Sequence, residues 1–284
     1  MKNSSLREAE KINLFFLLFF FVLALVHIRE LQSYKIIYEY LILLSLQLIF
    51  IKIKVTERRF GILYDVAFPV ISVLLVFDSM SELVHVVNPH DIDYRLIQMD
   101  YKLFGLYPTV YLERFVNPFL TEILQLSYSS YYFLPVVLGV VLKVQGRDEE
   151  FNRGLAMILL CFYLSYVGYI IFPALGPRYT MLHLQSVELQ GVYFFKKISS
   201  ILNSIEGIKR DAFPSGHTAI TLLVLHLAYK FERRLFYIYL PVAALLLLST
   251  VYCRYHYVVD VIGGIGLYLL TVVISRFLLF RKDA

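Results

Sequence analysis

The sequence predicts an all-α integral membrane protein, a bundle of about eight spans. Three observations carry this. The 284 residues are 59% hydrophobic with a mean hydropathy of +0.67. Only 17% are charged, and a soluble domain of this size has no interior large enough to hide the remainder. Apolar runs such as Ile12–Ile28, Leu155–Phe172, Leu235–Tyr252 and Val261–Phe280 approach or reach the ~20 residues that cross ~30 Å of hydrocarbon.

The spans are expected near 12–28, 36–53, 61–78, 120–143, 153–172, 215–230, 235–253 and 257–279. The first follows a basic start with no small-residue cleavage site before Arg29, and reads as a retained anchor. The third is bracketed by Asp65 and Asp78. Five basic clusters fall on one side: Lys2, Arg7 and Lys11; Lys52, Lys54, Arg58 and Arg59; Lys143, Arg147 and Arg153; Lys230, Arg233 and Arg234; and Arg276, Arg281 and Lys282. The positive-inside rule makes that side cytoplasmic and keeps both termini there. The formal charge of +5 is thus a matter of topology, and nucleic acid is not an expected partner. Two cysteines, Cys161 and Cys253, form no disulfide framework or metal-ligand cluster. Residues 1–60 read as accessory spans and 61–284 as a core with six helices.

The opposite side receives two long loops, about 79–119 and 173–214, and the tight turn Arg254–His256. Residues 90–104 and 110–115 mix charges with apolar residues at helical intervals, which fits short interfacial helices or a solvated loop. The chemistry gathers on this side. Pro214-Ser215-Gly216-His217 reads as a helix start, with Ser215 able to cap and backbone N–H groups around Gly216 free to hold an oxyanion. His256 and Asp260, four apart, would share a helix face, so that the carboxylate fixes the imidazole tautomer. The same spacing also suits a purely structural pair between helices. Phe172-Pro173-Ala174-Leu175-Gly176-Pro177-Arg178 breaks the fifth span and presents Arg178, a residue equally able to grip two phosphate oxygens or to snorkel to headgroups.

His226, nine positions after His217, points to the other helix face and reads as a packing or partner-bonded histidine. Gln125 to Tyr132 make the fourth span polar in its outer half, fitting a headgroup pocket or helix packing. Gly263, Gly264 and Gly266 are expected to let the last helix pack closely.

Arg178, Pro-Ser-Gly-His at 214–217 and His256-x-x-x-Asp260 together resemble, in order and spacing, the three motifs of the type 2 phosphatidic acid phosphatase superfamily. The likeness spans roughly residues 120–280, with motifs at 172–179, 211–217 and 249–260. Within it the chain most resembles inositol phosphorylceramide synthases, through Gly176-Pro177-Arg178-Tyr179, Tyr252-x-Arg254-Tyr255-His256-Tyr257 and the loop from Asp93 and Asp100 to Pro108. The resemblance implies a membrane phosphotransferase or phosphatase acting on a phospholipid or sphingolipid, with no metal or cofactor. His256 would be the nucleophile oriented by Asp260, and His217 the general acid and base. Arg178, Ser215 and Gly216 would hold phosphate oxygens.

Two cations of the family pattern are missing. Ile171 stands where a lysine is expected and Thr250 where an arginine is expected. Arg254 is the nearest substitute, with Lys209 and Arg210 behind it. The site would face the periplasm in a bacterial inner membrane, or the lumen in a eukaryote. Simple lipid phosphate hydrolysis, or a non-catalytic transporter or scaffold, are the alternatives.

Overall fold

The computed structural model describes residues 6–53, 58–206 and 210–279. Lys2, Lys54, Lys209, Arg281 and Lys282 lie outside them, as do the side chains of Arg58 and Arg59. The described residues form helices and connecting turns, with one isolated bridge between Ala174 and Asp211.

The first three helices are α1 (Glu8–Val26), α2 (Lys35–Ile53) and α3 (Arg58–Val87). The helix α3 runs well past the expected end at residue 78. Val76, Met80, Leu83 and Val84 continue one buried face at helical spacing, joined by the buried Ser79, while Asp78 and Ser81 lie on the exposed side. Two short helices follow, α4 (Asp93–Phe104) and α5 (Pro108–Tyr111), the latter running into a 3-10 turn over 112–115. The expectation of short helices here therefore holds over that of an unstructured loop. α4 closes on Gly105, whose φ of 67° is the left-handed stop that glycine makes easy.

The fourth expected span is broken into α6 (Pro118–Ser129) and α7 (Leu134–Val144), bent by 49°. Next come α8 (Asp148–Ile171), the single-turn α9 (Pro177–Thr180) and α10 (Phe195–Glu206). The helix α10 is an amphipathic element that the sequence reading left inside a loop. The motif helices are α11 (Gly216–Phe231), α12 (Arg233–Tyr252) and α13 (Val258–Leu279).

Among the described residues, five helices are long and apolar enough to cross a membrane, and six if the bent pair counts as one span. The expected eight are not all reached by this measure. α2 and α11 take the other two places, but α11, at 16 residues, is ~24 Å long and falls short of ~30 Å of hydrocarbon.

The helix α8 is the central post. α1 and α3 pack on one side of it, and α7, α11 and α13 on the other. Polar side chains tie the N-terminal helices to this post inside the apolar layer. The Asn13 amide donates to Gln47 (2.9 Å), and the Tyr163 hydroxyl donates to Asn13. Tyr40 and Ser79 share a bond of 2.6 Å. At one end of the bundle Asp65 pairs with both Arg7 and Lys143 (2.5 Å to the latter), and Arg147 with Glu232. These groups come from the segments expected on one side of the membrane. His226 is partnered as expected, its Nδ1 2.9 Å from the Tyr268 hydroxyl. Of the three late glycines, Gly263 and Gly264 sit where a Cβ would collide with Phe213 or with Ser215 O, at 2.7 and 2.5 Å. Gly266 faces open space, so the close-packing expectation fails there.

Candidate active site

The three motifs meet at the end of the bundle opposite Asp65. Ser215 caps α11 by accepting from the Thr218 N–H (3.2 Å), which puts His217 in the first helical turn. Gly216 lies so close to α8 that a Cβ would stand 2.3 Å from the Tyr169 hydroxyl. The Ser215 N–H donates to Asp260 O (3.0 Å), joining the start of α11 to the start of α13.

His256 arrives by a different route from the helical stacking expected of His256-x-x-x-Asp260. α12 ends in a tight reversal in which the N–H groups of Tyr255 and His256 both donate to Thr250 O, at 3.0 and 2.9 Å. Arg254, in the left-handed region with φ of 64°, makes the turn. Because α13 begins only at Val258, His256 stands outside the helix. Its Nδ1 lies 2.8 Å from Ala212 O and 3.5 Å from Asp260 Oδ2. The shorter contact is to the carbonyl, and Asp260 spends its oxygen on capping the helix, accepting from Tyr257 N–H at 2.8 Å. A carbonyl only accepts, so Nδ1 carries the proton and Nε2 presents its lone pair. That Nε2 is 3.4 Å from His217 Nδ1, and both rings are buried.

Arg178 follows Gly176, whose φ of 89° and whose missing Cβ, 2.7 Å from Tyr255 O, let this loop lie against the His256 turn. The Arg178 N–H donates to Arg254 O (3.0 Å). Its guanidinium sits over Tyr255 (5.0 Å), which stacks on Tyr128 (4.1 Å), which stacks on His217 (4.4 Å). Arg178, His217 and His256 are thus drawn to one place through two tyrosines.

Arg254 itself turns elsewhere. Its guanidinium donates to Glu113 (2.9 Å), Gln185 (3.2 Å) and Val187 O. Arg210 pairs with Asp91 at 2.7 Å. Neither guanidinium is directed as a stand-in for the missing cations. Thr250 is wholly buried and supplies the carbonyl of the reversal, and Ile171 is 53% exposed on the outside of the bundle.

Sequence reasoning missed a brace. Asp93 accepts from the N–H groups of Leu175 and Gly176 (2.8 and 2.9 Å) and from the Tyr257 hydroxyl (2.8 Å). Asp100, two turns on, accepts from Val258 and Val259 N–H (3.0 and 2.9 Å) at the start of α13. α4 therefore fixes the Arg178 loop relative to the His256 turn. The signal was present: Asp93, Leu96 and Asp100 share one face of a helix and all are buried. In the fourth span Gln125 bonds Tyr255 (3.1 Å), and Tyr131 lies 4.1 Å from the His217 ring. Ser127, Ser129 and Ser130 only bond carbonyls of their own helix. Among the described residues, no group of three or more His, Cys, Asp or Glu side chains is placed to hold a metal ion.

A model of the PAP2 superfamily matches residues 94–274. A PA-phosphatase related-family protein of Dictyostelium discoideum is 26% identical over 173 residues, covering 54% of this chain and 31% of the relative. The chain thus spans about a third of the length of that relative. No solved structure matches it significantly.

Proposed function

Because the chain belongs to the PAP2 superfamily, we propose that it transfers or hydrolyses the phosphate of a membrane lipid through a phosphohistidine on His256. The family makes it a phosphatase-type enzyme. One observation carries the finer reading: the buried His256 Nε2 faces His217 Nδ1 at 3.4 Å, with its own Nδ1 proton committed to Ala212 O. A lone pair so held is a nucleophile needing no further activation at neutral pH.

In this reading the phosphoryl group enters between the two rings. Nε2 attacks phosphorus, and the P–O bond to the lipid alcohol breaks. His217 protonates the departing oxygen, and in the second half-reaction takes a proton from water or from an acceptor alcohol. Arg178 holds equatorial oxygens, with the Ser215 hydroxyl and the backbone around Gly216 at the start of α11 beside it, the Ser215 N–H being committed to Asp260 O. One such donor is worth ~3–4 kcal/mol of barrier. Asp260 stabilises the charged imidazole through space. Arg254 serves as a positioning residue, its carbonyl holding Arg178, and not as a phosphate ligand. α1 and α2 act as an accessory buttress. The positive-inside rule supports a non-cytoplasmic active face, opposite the Arg7, Lys143 and Arg147 end.

We favour transfer, as in inositol phosphorylceramide synthases, over simple hydrolysis, because the sequence likeness extends to the loop that carries Asp93 and Asp100. Purified protein given lipid phosphates and phosphoinositol lipids in the presence of a chelator decides this. A new phosphorylated lipid on adding ceramide or diacylglycerol supports transfer, and free phosphate alone supports hydrolysis. Binding without product overturns the enzymatic reading, and unchanged turnover in His256→Ala overturns the assignment of the nucleophile.

A further inference from the structure

A cavity of about 210 Å³ begins at His217 and Asp211 and runs along α8 to Asp65 at the far end of the bundle. It touches α8 from Tyr169 down to Phe151. The rise from Phe151 to Tyr169 corresponds to ~27 Å of helix, almost the whole ~30 Å hydrocarbon layer and about twice one leaflet. Its origin is the break in the fourth span. α6 packs against α12, while the 49° bend carries α7 across to α8. Lys143 on α7 then meets Asp65 on α3, so that α3 and α7 are pinned together at the far end. Above that ion pair they enclose a wedge whose mouth is edged by the exposed Val70 and Leu74. Gly139 keeps the wedge open, since a Cβ there would stand 3.3 Å from the lining ring of Phe151, and the walls are otherwise aliphatic and aromatic.

We propose that this wedge holds one hydrocarbon tail of the substrate, a tail long enough to pass the bilayer midplane, and that it selects substrates by tail length. The inference rests on reading the chain as a lipid phosphate enzyme, since the wedge starts at the ring that would protonate the leaving alcohol. A thin tail entering sideways between α3 and α7 brings its phosphate to His217 and His256. A tail confined to one leaflet leaves the lower wedge unfilled. Surrounding lipid is already apolar, so the selectivity comes from close packing of the tail against the walls. The floor is the Asp65 pair with Arg7 and Lys143, which stops the tail where the charges begin.

The test uses the full chain in lipid nanodiscs and two independent readouts. The first is a photoactivatable lipid monophosphate with its diazirine at the end of a long tail. The expected adducts fall on residues 65–70 and 139–142. Adducts confined to the outer faces of α12 and α13 overturn the proposal. The second is turnover of dodecyl, hexadecyl and long polyprenyl monophosphates and of a phosphatidic acid with very-long acyl chains. The wild type is expected to gain about tenfold or more in kcat/KM from dodecyl to the long tails, an effect of ~1.4 kcal/mol. Comparison of the acyl and prenyl arms identifies the chemical source of the tail. Val66→Phe, at the foot, should abolish the gain and keep dodecyl turnover. Val70→Trp, one turn above Val66 and partly exposed, serves the same purpose if the Val66 variant fails to fold. Turnover indifferent to tail length overturns the tail proposal and leaves the catalytic reading intact. Adducts at the foot without turnover of any lipid support the wedge and sink the catalytic reading instead.

Discussion

His256 is held by a backbone carbonyl, and this sets what its neighbours can contribute. With Ala212 O at 2.8 Å taking the Nδ1 proton, Asp260 at 3.5 Å acts mainly as a charge and as the cap on Tyr257 N–H. Asp260→Asn keeps an acceptor for the cap and removes the charge. Turnover should fall by about two orders of magnitude or more while the unfolding temperature stays near wild type. Equal turnover in the variant would assign Asp260 a structural role only. The sequence brought the right residues into view here, but their spacing was read on a helix. Whether a helix starts before His256 or after it depends on the reversal at Thr250, and that hydrogen-bonding pattern is invisible in residue spacing. The missing cations show the same limit. The sequence nominated Arg254 as their substitute, and only the packed loops reveal that Glu113, Gln185 and Val187 O occupy its guanidinium.

The reversal and the brace are the elements that aim the site. Arg254 adopts a left-handed conformation that costs an ordinary residue about 1–2 kcal/mol, offset by its charged hydrogen bonds. Arg254→Ala loses the bonds and keeps the strain, whereas Arg254→Gly loses both. Both should lower turnover, and the glycine variant should be the more stable by ~1 kcal/mol in thermal unfolding. A glycine variant no more stable than alanine would mean the turn is unstrained. On α4, burial pushes the Asp100 carboxyl above the ordinary carboxylate range, against the pull of Val258 and Val259 N–H. The folded state therefore keeps a proton that the unfolded chain releases, and this contribution to stability declines as pH rises through that window. Asp100→Asn should flatten the decline in detergent-solubilised protein, and should cost activity by loosening the start of α13. An unchanged slope would remove Asp100 from the account. The amphipathic pattern of α4 was legible because its apolar residues recur at helical intervals. Its partners were not, because both lie more than seventy residues away in sequence.

At the scale of the molecule, α8 carries two jobs on opposite faces. One face binds α1 and α3 through aromatic rings and the Asn13 network, and the other supports the motif helices. Interhelical polar bonds in membranes are worth ~1 kcal/mol or less. Asn13→Leu should therefore lower stability by about that amount and leave turnover unchanged, as measured by thermal unfolding and phosphate release. A large loss of activity would make the N-terminal helices part of the catalytic unit. Helix identity was legible in the apolar runs of span length, which leave few alternatives, whereas the amphipathic α10 gave no such signal. The break at Phe133 and the extension of α3 past residue 78 were not, because both follow from what each segment packs against.

The central claim is that His256 takes the phosphoryl group. Rapid quenching of the protein with a lipid bearing radiolabelled phosphate tests it directly. The account predicts a protein-bound label that is labile in acid and stable in base, mapped to His256, absent in His256→Ala and discharged slowly in His217→Ala. Turnover with no trapped label, or label retained in His256→Ala, would contradict it.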